Sequence, residues 1–262
     1  IIFSVKMKLK NKVAIVTGGG KGIGEVISLG LAKEGAKVVV ADLDRENSSN
    51  VVAEIIKNSG DAIYVETDVS NEASVKNLIS ETINRFDQID ILINNAGIRH
   101  VKKLENHDLS DWNDMISVNL TGPYICCQAV IPEMKKIGKG KIINFGSIAS
   151  FMGRPDRVGY VAAKSGILGL TRALAIDLKG TNINVNTICP GLISTPFNKK
   201  YAEDPTHGEQ WGKETIVGRW GLPSDIVGAA IFLSCNESDF INGSEIKIDG
   251  GWLAAKTREG EL

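Results

Sequence analysis

The sequence predicts an α/β fold in which a doubly wound parallel sheet is flanked by helices on both faces. Short runs of β-branched residues alternate with longer helical stretches through the first two-thirds of the 262 residues. The short runs are almost continuously apolar, which is typical of parallel strands that are buried on both faces. The chain is 43% hydrophobic, which is enough to bury a sizeable core in one compact domain.

Seven segments carry the strand pattern. The predicted strands are Val13–Thr17, Lys37–Ala41, Ala62–Glu66, Ile91–Asn94, Lys141–Phe145, Asn184–Cys189 and a last one near Glu245–Ile248. Helical stretches fill the gaps, for example Glu46–Asn58 and Glu72–Phe86. An apolar stripe at helical spacing is formed by Ile167, Leu170, Leu174 and Leu178. A repeated strand–helix–strand series predicts one doubly wound sheet.

We predict a single domain over residues 12–262, preceded by an N-terminal extension at residues 1–11. No internal repeat, low-complexity tract or interdomain linker interrupts it. The segment 196–214 differs in character, because it is polar and irregular and carries Pro205, Gly208 and Gly212. Such a segment is typical of a lid over a site or of a plain surface loop.

The charge balance gives no electrostatic reason to expect nucleic acid or a membrane surface as a partner, because 30 basic and 31 acidic residues leave a net charge of −1. No apolar run reaches the ~18 residues of a membrane span. None of the cysteines has metal-ligand spacing; they are Cys126, Cys127, Cys189 and Cys235. We therefore expect buried free thiols, no metal site and a cytoplasmic protein.

The segment 17–24, TGGGKGIG, follows the first strand and opens the first helix. Gly18 permits the tight turn, Gly22 lets the backbone approach a pyrophosphate, and Gly24 permits close helix–strand packing. The helix N-terminus adds N–H donors and the positive end of a dipole. Ile23 occupies the place of the third glycine in the usual fingerprint. This turn predicts dinucleotide binding in a Rossmann-type domain; a merely tight connection is the alternative.

Asp42 ends the second strand, about twenty residues after the turn. A carboxylate there accepts hydrogen bonds from both ribose hydroxyls of adenosine and repels a 2′-phosphate, which favours NAD. Lys21, in the turn, favours the opposite choice, because a cation there attracts that phosphate. The alternative for Asp42 is an ordinary solvated acid at a strand end. We predict NAD as the cofactor, with NADP as the alternative.

Further distinctive residues fall at the ends of the third to sixth predicted strands. They are Asp68, Asn94, Asn95, Ala96, Gly97, Ser147, Pro190 and Gly191. Asp68 accepts a hydrogen bond from adenine in one interpretation and caps the following helix in another. The asparagines form either a wall against the cofactor or a structural turn. Ligands of open α/β sheets bind outside the carboxyl ends of the strands, so the shared position predicts one site there.

Tyr160 and Lys164 are four residues apart in VGYVAAKSG, a spacing that places both on one face of a helix. A neighbouring ammonium group favours the phenolate and lowers a tyrosine pKa that is otherwise about 10. Together with Ser147 and the dinucleotide turn, the pair predicts hydride transfer at a carbinol or carbonyl carbon. A buried tyrosine beside an extended lysine is the structural alternative.

With these motifs in this order, the chain resembles the short-chain dehydrogenase/reductase family from Lys12 to about Trp252. The shared motifs are TGGGKGIG, Asp42, Asp68–Val69, Asn94–Gly97, Asn119 in SVNLTG, Ser147, YVAAK and PGLIST. The resemblance implies a seven-stranded parallel sheet and a homotetramer or dimer. The catalytic tetrad that it implies is Asn119, Ser147, Tyr160 and Lys164. The further cofactor contacts that it implies are Val69, Asn95, Ala96, Gly97, Pro190, Gly191, Ile193 and Thr195.

The expected roles follow from the chemistry and from the resemblance. In oxidation, the Tyr160 phenolate takes the hydroxyl proton while hydride leaves the carbon for the nicotinamide, and Ser147 hydrogen-bonds the same oxygen. The resemblance implies that Lys164 also holds the nicotinamide ribose and that Asn119 positions a water linked to Lys164. It further implies that Thr195 binds the carboxamide.

The run 218–234, together with 238–254, resembles enzymes that act on sugar acids, such as the 2-dehydro-3-deoxy-gluconate and gluconate 5-dehydrogenase groups. Similar runs occur in 3-oxoacyl-carrier-protein reductases and sugar 1-dehydrogenases. Arg99, Arg154 and Arg157 agree with an anionic polyol, because a guanidinium group near the pocket holds a carboxylate by paired hydrogen bonds. Surface or subunit-contact roles are the alternative for these arginines.

In the predicted lid, Trp211 and His207 either stack on or hydrogen-bond a sugar, or only pack the lid shut. Three functional hypotheses follow. The first is an NAD-dependent dehydrogenase of a sugar acid, sugar or polyol. The second is an NADPH-dependent reductase of 3-oxoacyl thioesters, which Asp42 disfavours. The third is a non-enzymatic nucleotide sensor, which would usually have lost Tyr160 or Lys164.

Overall fold

The structure is a computed structural model and describes residues 7–206 and 208–254. Its strands are β1 Val13–Thr17, β2 Lys37–Asp42, β3 Asp61–Glu66, β4 Ile91–Asn94, β5 Gly140–Phe145, β6 Ile183–Pro190 and β7 Glu245–Ile248. They form one parallel seven-stranded sheet in the order β3-β2-β1-β4-β5-β6-β7. Each predicted strand is confirmed to within one residue at either end. His207 and residues 1–6 of the predicted extension lie outside the described residues.

The helices are α1 Gly22–Lys33, α2 Arg45–Lys57, α3 Glu72–Phe86, α4 Leu109–Ile116, α5 Gly122–Ile137, α6 Val158–Asp177, α7 Lys199–Ala202, α8 Gly208–Lys213 and α9 Ser224–Ser234. The helix predicted to begin at Glu46 begins at Arg45, because the carboxylate of Asp44 caps it and accepts a hydrogen bond from the N–H of Asn47 at 3.1 Å. Across the described residues, none of the helices is long and apolar enough to cross a membrane.

Two buried apolar layers cover the two faces of the sheet. Successive strand residues point to opposite faces, so Ala14 and Val16 of β1 pack with residues of α1, α2 and α9. Val13 and Ile15 pack instead with residues of α3 and α5. This arrangement confirms the predicted doubly wound sheet with helices on both faces. Burial of each large apolar side chain contributes roughly 1.5–3 kcal/mol, and the two layers hold the strand ends in fixed positions.

The strand order reverses at β1, which lies between β2 and β4. Thr17, the last residue of β1, is in register with Ala41 on one side and with Asn94 on the other. Connections that leave neighbouring strands toward opposite faces create a crevice at the carboxyl ends, and ligands of α/β sheets bind there. The topology therefore locates the site where the sequence predicts it.

The segment 196–214 is only partly irregular, because it contains two short helices, α7 and α8. An aromatic contact joins them, since the ring of Tyr201 in α7 stacks on that of Trp211 in α8 with 5.9 Å between the ring centroids. The polar composition of the segment gives no sign of this contact, because the two side chains are ten positions apart in the sequence.

Candidate active site

A cleft of about 480 Å³ opens at the carboxyl ends of the strands. Of the described residues that the sequence predicts for the cofactor, the chemistry or the substrate, all line this cleft except Gly24, Asn94 and Trp211. The loops that follow β1 to β6 all contribute to it. The cleft therefore joins the predicted dinucleotide turn and the predicted proton acceptor in one continuous space.

The glycine-rich turn after β1 has the geometry of a dinucleotide cradle. Gly18 and Gly22 have φ angles of 61° and 59°, which L side chains rarely adopt. A Cβ atom on Gly24 would overlap the carbonyl oxygen of Gly18, so Gly24 packs α1 onto the turn, as predicted. The turn leads into the N-terminus of α1, a position that suits a pyrophosphate. The residues present fit a bound dinucleotide.

Asn95 fixes this turn to the end of β4. Its Nδ2 atom donates to the carbonyl oxygens of Thr17 and Gly18 at 3.1 and 2.9 Å. Its main-chain N–H donates to Oγ1 of Thr17 at 3.1 Å. Sequence reasoning missed Thr17, because nothing in the local pattern separates it from an ordinary threonine at the end of a strand.

Main-chain N–H groups hold both carboxylate oxygens of Asp42. Oδ2 accepts a hydrogen bond from Gly20 and Oδ1 accepts one from Asp44, both at 3.0 Å. The carboxylate is therefore fixed at the wall of the cleft beside the glycine turn. The ammonium group of Lys21 also lines the cleft, and it forms an ion pair with the Asp44 carboxylate.

Asp68 lines the cleft but does not cap α3, so the capping alternative is wrong. Its Oδ1 atom accepts hydrogen bonds from the N–H and the hydroxyl of Ser70 at 2.9 and 2.6 Å. The cap is Asn71, whose side chain accepts a hydrogen bond from the N–H of Ser74 at 3.0 Å. Because α3 begins only at Glu72, Asp68 lies too early in the chain to reach the N–H groups of its first turn.

Asn94 does not line the cleft, and it belongs to a buried polar network beneath it. Its Nδ2 atom donates to Oδ1 of Asn144, whose own Nδ2 atom donates to Oγ1 of Thr171, both at 2.9 Å. The hydroxyls of Thr171 and Thr187 are 2.8 Å apart. This network ties β4, β5 and β6 to α6, the helix that carries the predicted proton acceptor. Sequence reasoning missed three of its four members, because they are far apart in the chain.

Lys164 is buried, with 5% of its surface exposed. Its Nζ atom donates a hydrogen bond to the carbonyl oxygen of Phe145 at 2.8 Å and lies 5.9 Å from the ring centroid of Tyr160. Burial penalises the charged form and lowers the pKa of Lys164 to about 8. The pair is therefore close, but the hydrogen bond of Lys164 goes to a main-chain oxygen.

The predicted lowering of the Tyr160 pKa is wrong for this structure, since burial raises the pKa of its phenol. The effect of burial exceeds the opposing effects of the hydrogen bond with Ser147 and of the positive charges of Arg99 and Arg157. The four-residue spacing identifies the neighbour of Tyr160, but it does not show how much water the surrounding elements exclude.

Ser150 connects Ser147 to the helix of Tyr160 and Lys164. Its Oγ atom donates to the carbonyl oxygen of Lys164 at 2.6 Å and accepts a hydrogen bond from the N–H of Ser147 at 3.2 Å. The Ser147 Oγ atom in turn accepts a hydrogen bond from the N–H of Ala149 at 3.1 Å. Sequence reasoning missed Ser150, although the S-x-x-S spacing of a capping box at 147–150 is a usable signal.

Asn119 is fully buried in a π-helical turn over residues 117–121, between α4 and α5. Its Oδ1 atom accepts a hydrogen bond from the N–H of Ile98 at 3.2 Å. Its Nδ2 atom donates to the carbonyl oxygens of Ile98 and Met115, both at 3.0 Å. A Cβ atom on Gly97 would lie 2.8 Å from Oδ1 of Asn119. The glycine therefore permits the end of β4 to contact this helix directly.

The guanidinium group of Arg99 is held at the cleft by residues that precede and begin α7. It donates to Oδ1 of Asn198 at 3.1 Å and to the carbonyl oxygen of Phe197 at 3.2 Å. It also lies over the rings of Phe197 and Tyr201, at 4.4 and 5.1 Å from their centroids. Burial lowers the pKa of Arg99, but a guanidinium group stays charged in proteins.

Tyr201 lies behind two of the three predicted substrate arginines. The guanidinium group of Arg157 is 5.5 Å from the centroid of the ring that Arg99 also contacts. Trp211, which the sequence predicts at the substrate, stacks on Tyr201 and does not line the cleft. The predicted contact of Trp211 with the substrate is therefore corrected to support of Tyr201, because the orientation of α8 turns its ring toward α7.

Arg99, Arg154 and Arg157 thus line the same cleft as Ser147 and Tyr160, and the positive charges of Arg99 and Arg157 act on the Tyr160 phenol. In the described part of the chain, the salt bridges of arginine lie elsewhere. Burial also lowers the pKa of Arg154, which shows that its charge is partly removed from water. Among the described residues, Arg99 and Arg154 are partly desolvated and have no carboxylate in salt-bridge contact, which makes the cleft suitable for an anion.

Over residues 7–206 and 208–254, no group of three or more His, Cys, Asp or Glu side chains is arranged to hold a metal ion. The four cysteines are buried and free of disulfides. Burial raises the pKa of Cys126 and of Cys189 to about 12, so these thiols are protonated near neutral pH.

A doubly wound sheet whose switch point carries a dinucleotide cradle beside a serine, a tyrosine and a buried lysine defines a nicotinamide-dependent oxidoreductase. The model of the short chain dehydrogenase family matches residues 12–206. The chain belongs to this family, whose members use NAD(P) and act on CH–OH groups. The resemblance inferred from the motifs is confirmed.

The similar proteins have diverse substrates. The 2,5-dichloro-2,5-cyclohexadiene-1,4-diol dehydrogenase of Sphingobium indicum is 36% identical over 245 residues, which are 94% of this chain and 97% of the relative. A 3-oxoacyl-[acyl-carrier-protein] reductase of Synechocystis is 38% identical over 247 residues, which are 94% of this chain and 98% of the relative. Among solved structures, the chain is similar to a gluconate 5-dehydrogenase from Burkholderia cenocepacia in complex with NADP and tartrate. The two are 35% identical and superpose with a TM-score of 0.90, and the match covers 95% of this chain and 98% of that one.

Proposed function

We propose that this protein is an NAD-dependent dehydrogenase that interconverts a secondary alcohol and a ketone on a sugar acid. The observation that carries the proposal is the set of three arginines, Arg99, Arg154 and Arg157, that line the same cleft as Ser147 and Tyr160. A neutral sugar or polyol offers no charge to balance them, whereas a carboxylate accepts paired hydrogen bonds from guanidinium groups. The similar gluconate 5-dehydrogenase structure, which contains the dicarboxylate tartrate, supports the same substrate class.

The residues of the cleft have distinct roles in this proposal. A bound nicotinamide cofactor would supply the hydride acceptor for oxidation in its oxidised form and the hydride donor for reduction in its reduced form. Tyr160 holds and moves the proton at its hydroxyl oxygen, and Ser147 donates a hydrogen bond to the reacting oxygen of the substrate. The ammonium group of Lys164 lies 5.9 Å from the centroid of the Tyr160 ring, and a neighbouring positive charge favours the phenolate. Asn119 fixes the wall beside them through its main-chain hydrogen bonds.

The cofactor has its own set of residues. We propose that Gly18 and Gly22 approach the pyrophosphate, that Asp42 binds the adenosine ribose, and that Thr195 binds the carboxamide. The remaining contacts are Lys21, Ile23, Asp68, Val69, Asn95, Ala96, Gly97, Lys164, Pro190, Gly191 and Ile193, all of which line the cleft. The fixed carboxylate of Asp42 supports NAD over NADP, because a 2′-phosphate would lie against a negative charge.

The competing candidate is an NADPH-dependent reductase of 3-oxoacyl thioesters, which the Synechocystis relative favours. A spectrophotometric screen with NAD and NADP in parallel separates the two. It covers aldonates, 3-deoxy-2-keto sugar acids, free sugars, polyols and an acetoacetyl thioester. We expect NAD-linked turnover of sugar acids. Turnover of the thioester with NADPH, and none of the sugar acids, would replace the proposal with the competing candidate.

Two matched variants sharpen this screen. Arg157→Gln removes one charge from the substrate end of the cleft, and Arg172→Gln removes one from an exposed position of α6. We expect Arg157→Gln to raise KM for a sugar acid by roughly 10-fold or more, as for the loss of a charge-assisted hydrogen bond. Arg172→Gln should change this KM far less. Equal changes in KM from the two variants would show that Arg157 does not bind the substrate.

We further propose that the protein is a single-domain, cytoplasmic homotetramer, with a dimer as the alternative, as the family resemblance implies. Light scattering after size-exclusion chromatography measures the subunit count. A monomer at micromolar concentration would contradict this assembly without affecting the proposed reaction.

A further inference from the structure

Two cations near the carboxyl end of β2, Lys21 and Arg45, each pair with a carboxylate. The Lys21 ammonium group forms an ion pair with Oδ2 of Asp44. The guanidinium group of Arg45 lies 3.2 Å from Oε2 of Glu66. Only Lys21 of these four residues lines the cleft, in the glycine turn where a cation would meet the 2′-phosphate of NADP.

The carboxylate of Asp44 is held in place by the start of α2. Its Oδ1 atom accepts a hydrogen bond from the N–H of Asn47 at 3.1 Å, and its Oδ2 atom accepts one from Nδ2 of Asn47 at 3.0 Å. The hydrogen bond from Lys21 is the largest influence that lowers the pKa of Asp44 to about 2. The pair is therefore ionised at any pH at which the enzyme works, and Asp44 cannot turn away without uncapping the helix.

Asp42 and Asp44 act on different partners. Asp42 faces the cleft and is held by main-chain N–H groups, so it can accept hydrogen bonds from a ribose directly. Asp44 lies behind Lys21 and does not line the cleft. The main-chain N–H of Asp44 also holds Asp42, but the side-chain carboxylate of Asp44 acts toward the cleft through the charge of Lys21.

We propose that Asp44 is a specificity-determining residue that favours NAD by neutralising Lys21. Asp42 repels the 2′-phosphate. Asp44 neutralises Lys21, the cation in the glycine turn that would attract this phosphate. This inference rests on the NAD preference stated under the proposed function. It also explains how a lysine in the turn is compatible with an acidic residue at the end of β2. The two residues favour opposite cofactors only if Lys21 is free.

The test is the variant Asp44→Asn, which removes the charge but keeps a side chain that caps helices equally well. Isothermal titration calorimetry measures binding of adenosine 2′,5′-bisphosphate and of 5′-AMP, which differ only in the 2′-phosphate. We expect Asp44→Asn to tighten binding of the bisphosphate by roughly 5- to 10-fold relative to 5′-AMP, and high salt to reduce this gain. The added change Lys21→Met should abolish the gain.

Glu66→Gln is the matched control, because it removes the same charge from the neighbouring pair with Arg45. The inference would be overturned if Asp44→Asn left the ratio of the affinities for the two ligands unchanged. It would also be overturned if the gain persisted after the added change Lys21→Met. An equal gain from Glu66→Gln would also overturn it, because the effect would then be one of overall charge. Thermal melts of each variant show that the fold is retained.

The two proposals fail in different ways. Wild-type turnover with NADP in preference to NAD contradicts the proposed cofactor, whatever Asp44→Asn does to the calorimetric ratio. If the wild type prefers NAD but Asp44→Asn leaves the calorimetric ratio of affinities unchanged, only the role of Asp44 is contradicted. The ratio of kcat/KM for the two cofactors provides a second readout, expected to move toward NADP in the same variant.

Discussion

The Nζ atom of Lys164 donates a hydrogen bond of 2.8 Å to the main-chain carbonyl oxygen of Phe145, the last residue of β5. This bond joins helix α6 to the carboxyl edge of the sheet. It gives the buried ammonium group a partner that carries no formal charge. The cost of burying the charge is therefore only partly offset, and the pKa of Lys164 falls to about 8.

The lowered pKa of Lys164 predicts a pH-dependent contribution to stability. The unfolded chain binds this proton up to about 10.5 and the folded protein only to about 8. Since the unfolded state binds more protons between these values, the contribution of Lys164 to folding rises with pH over that window. It rises by roughly 3–4 kcal/mol in total, at about 1.4 kcal/mol for each pKa unit.

Thermal melts of the wild type and of Lys164→Met across this window check the prediction. The variant should be the more stable of the two near neutral pH, and its advantage should shrink or reverse as the pH rises above about 8. A difference in Tm that does not depend on pH would contradict the lowered pKa.

Tyr160→Phe is expected to abolish most turnover and to leave cofactor binding intact. The hydroxyl that moves the proton is lost, which costs roughly 10²–10⁴-fold in kcat, while the ring and its contacts remain. Steady-state kinetics measure the loss, and quenching of intrinsic fluorescence by NADH measures the binding. Substantial remaining activity would remove Tyr160 from the role of proton acceptor.

Ser150→Ala is expected to lower kcat by about 10-fold with little change in the Kd of the cofactor. The variant removes the hydroxyl that links the N–H of Ser147 to the carbonyl oxygen of Lys164. Leaving these partly buried groups without their partner costs about 1–3 kcal/mol. Ser150→Thr retains the hydroxyl and should restore part of the rate. If both variants behave alike, the hydroxyl does not position Ser147.

Tyr201→Leu is expected to raise KM for the anionic substrate by roughly 3- to 10-fold, as for the loss of one or two cation–π contacts. The ring of Tyr201 backs the guanidinium groups of Arg99 and Arg157. Tyr201→Phe keeps the ring and should behave like the wild type. Kinetics with a sugar acid and with a neutral polyol tell the two roles apart, because a purely structural role would affect both substrates equally.

Asp42→Ala is expected to narrow the preference for NAD over NADP by at least about 10-fold in the ratio of kcat/KM, because it removes both the ribose acceptor and the charge that repels the phosphate. The comparison with Asp44→Asn separates direct contact from action through Lys21. An unchanged ratio would show that Asp42 does not select the cofactor.

Much of the fold was predictable because its determinants are local in sequence. Continuously apolar runs identify strands buried on both faces, as the match of all seven predicted strands shows. The glycine turn and the Tyr160–Lys164 spacing likewise depend on neighbouring residues. Since parallel topology brings the carboxyl ends of these strands together, the position of the cleft followed from the same pattern.

The sequence by itself determined which chemical groups are present and at which end of the sheet they lie. Only the tertiary structure decided what each group meets. Burial by surrounding elements raises the pKa of Tyr160, Trp211 turns to Tyr201 rather than to the cleft, and Lys21 is paired with Asp44. These outcomes depend on distances between segments and on the exclusion of water, and neither is encoded in the spacing of residues along one element.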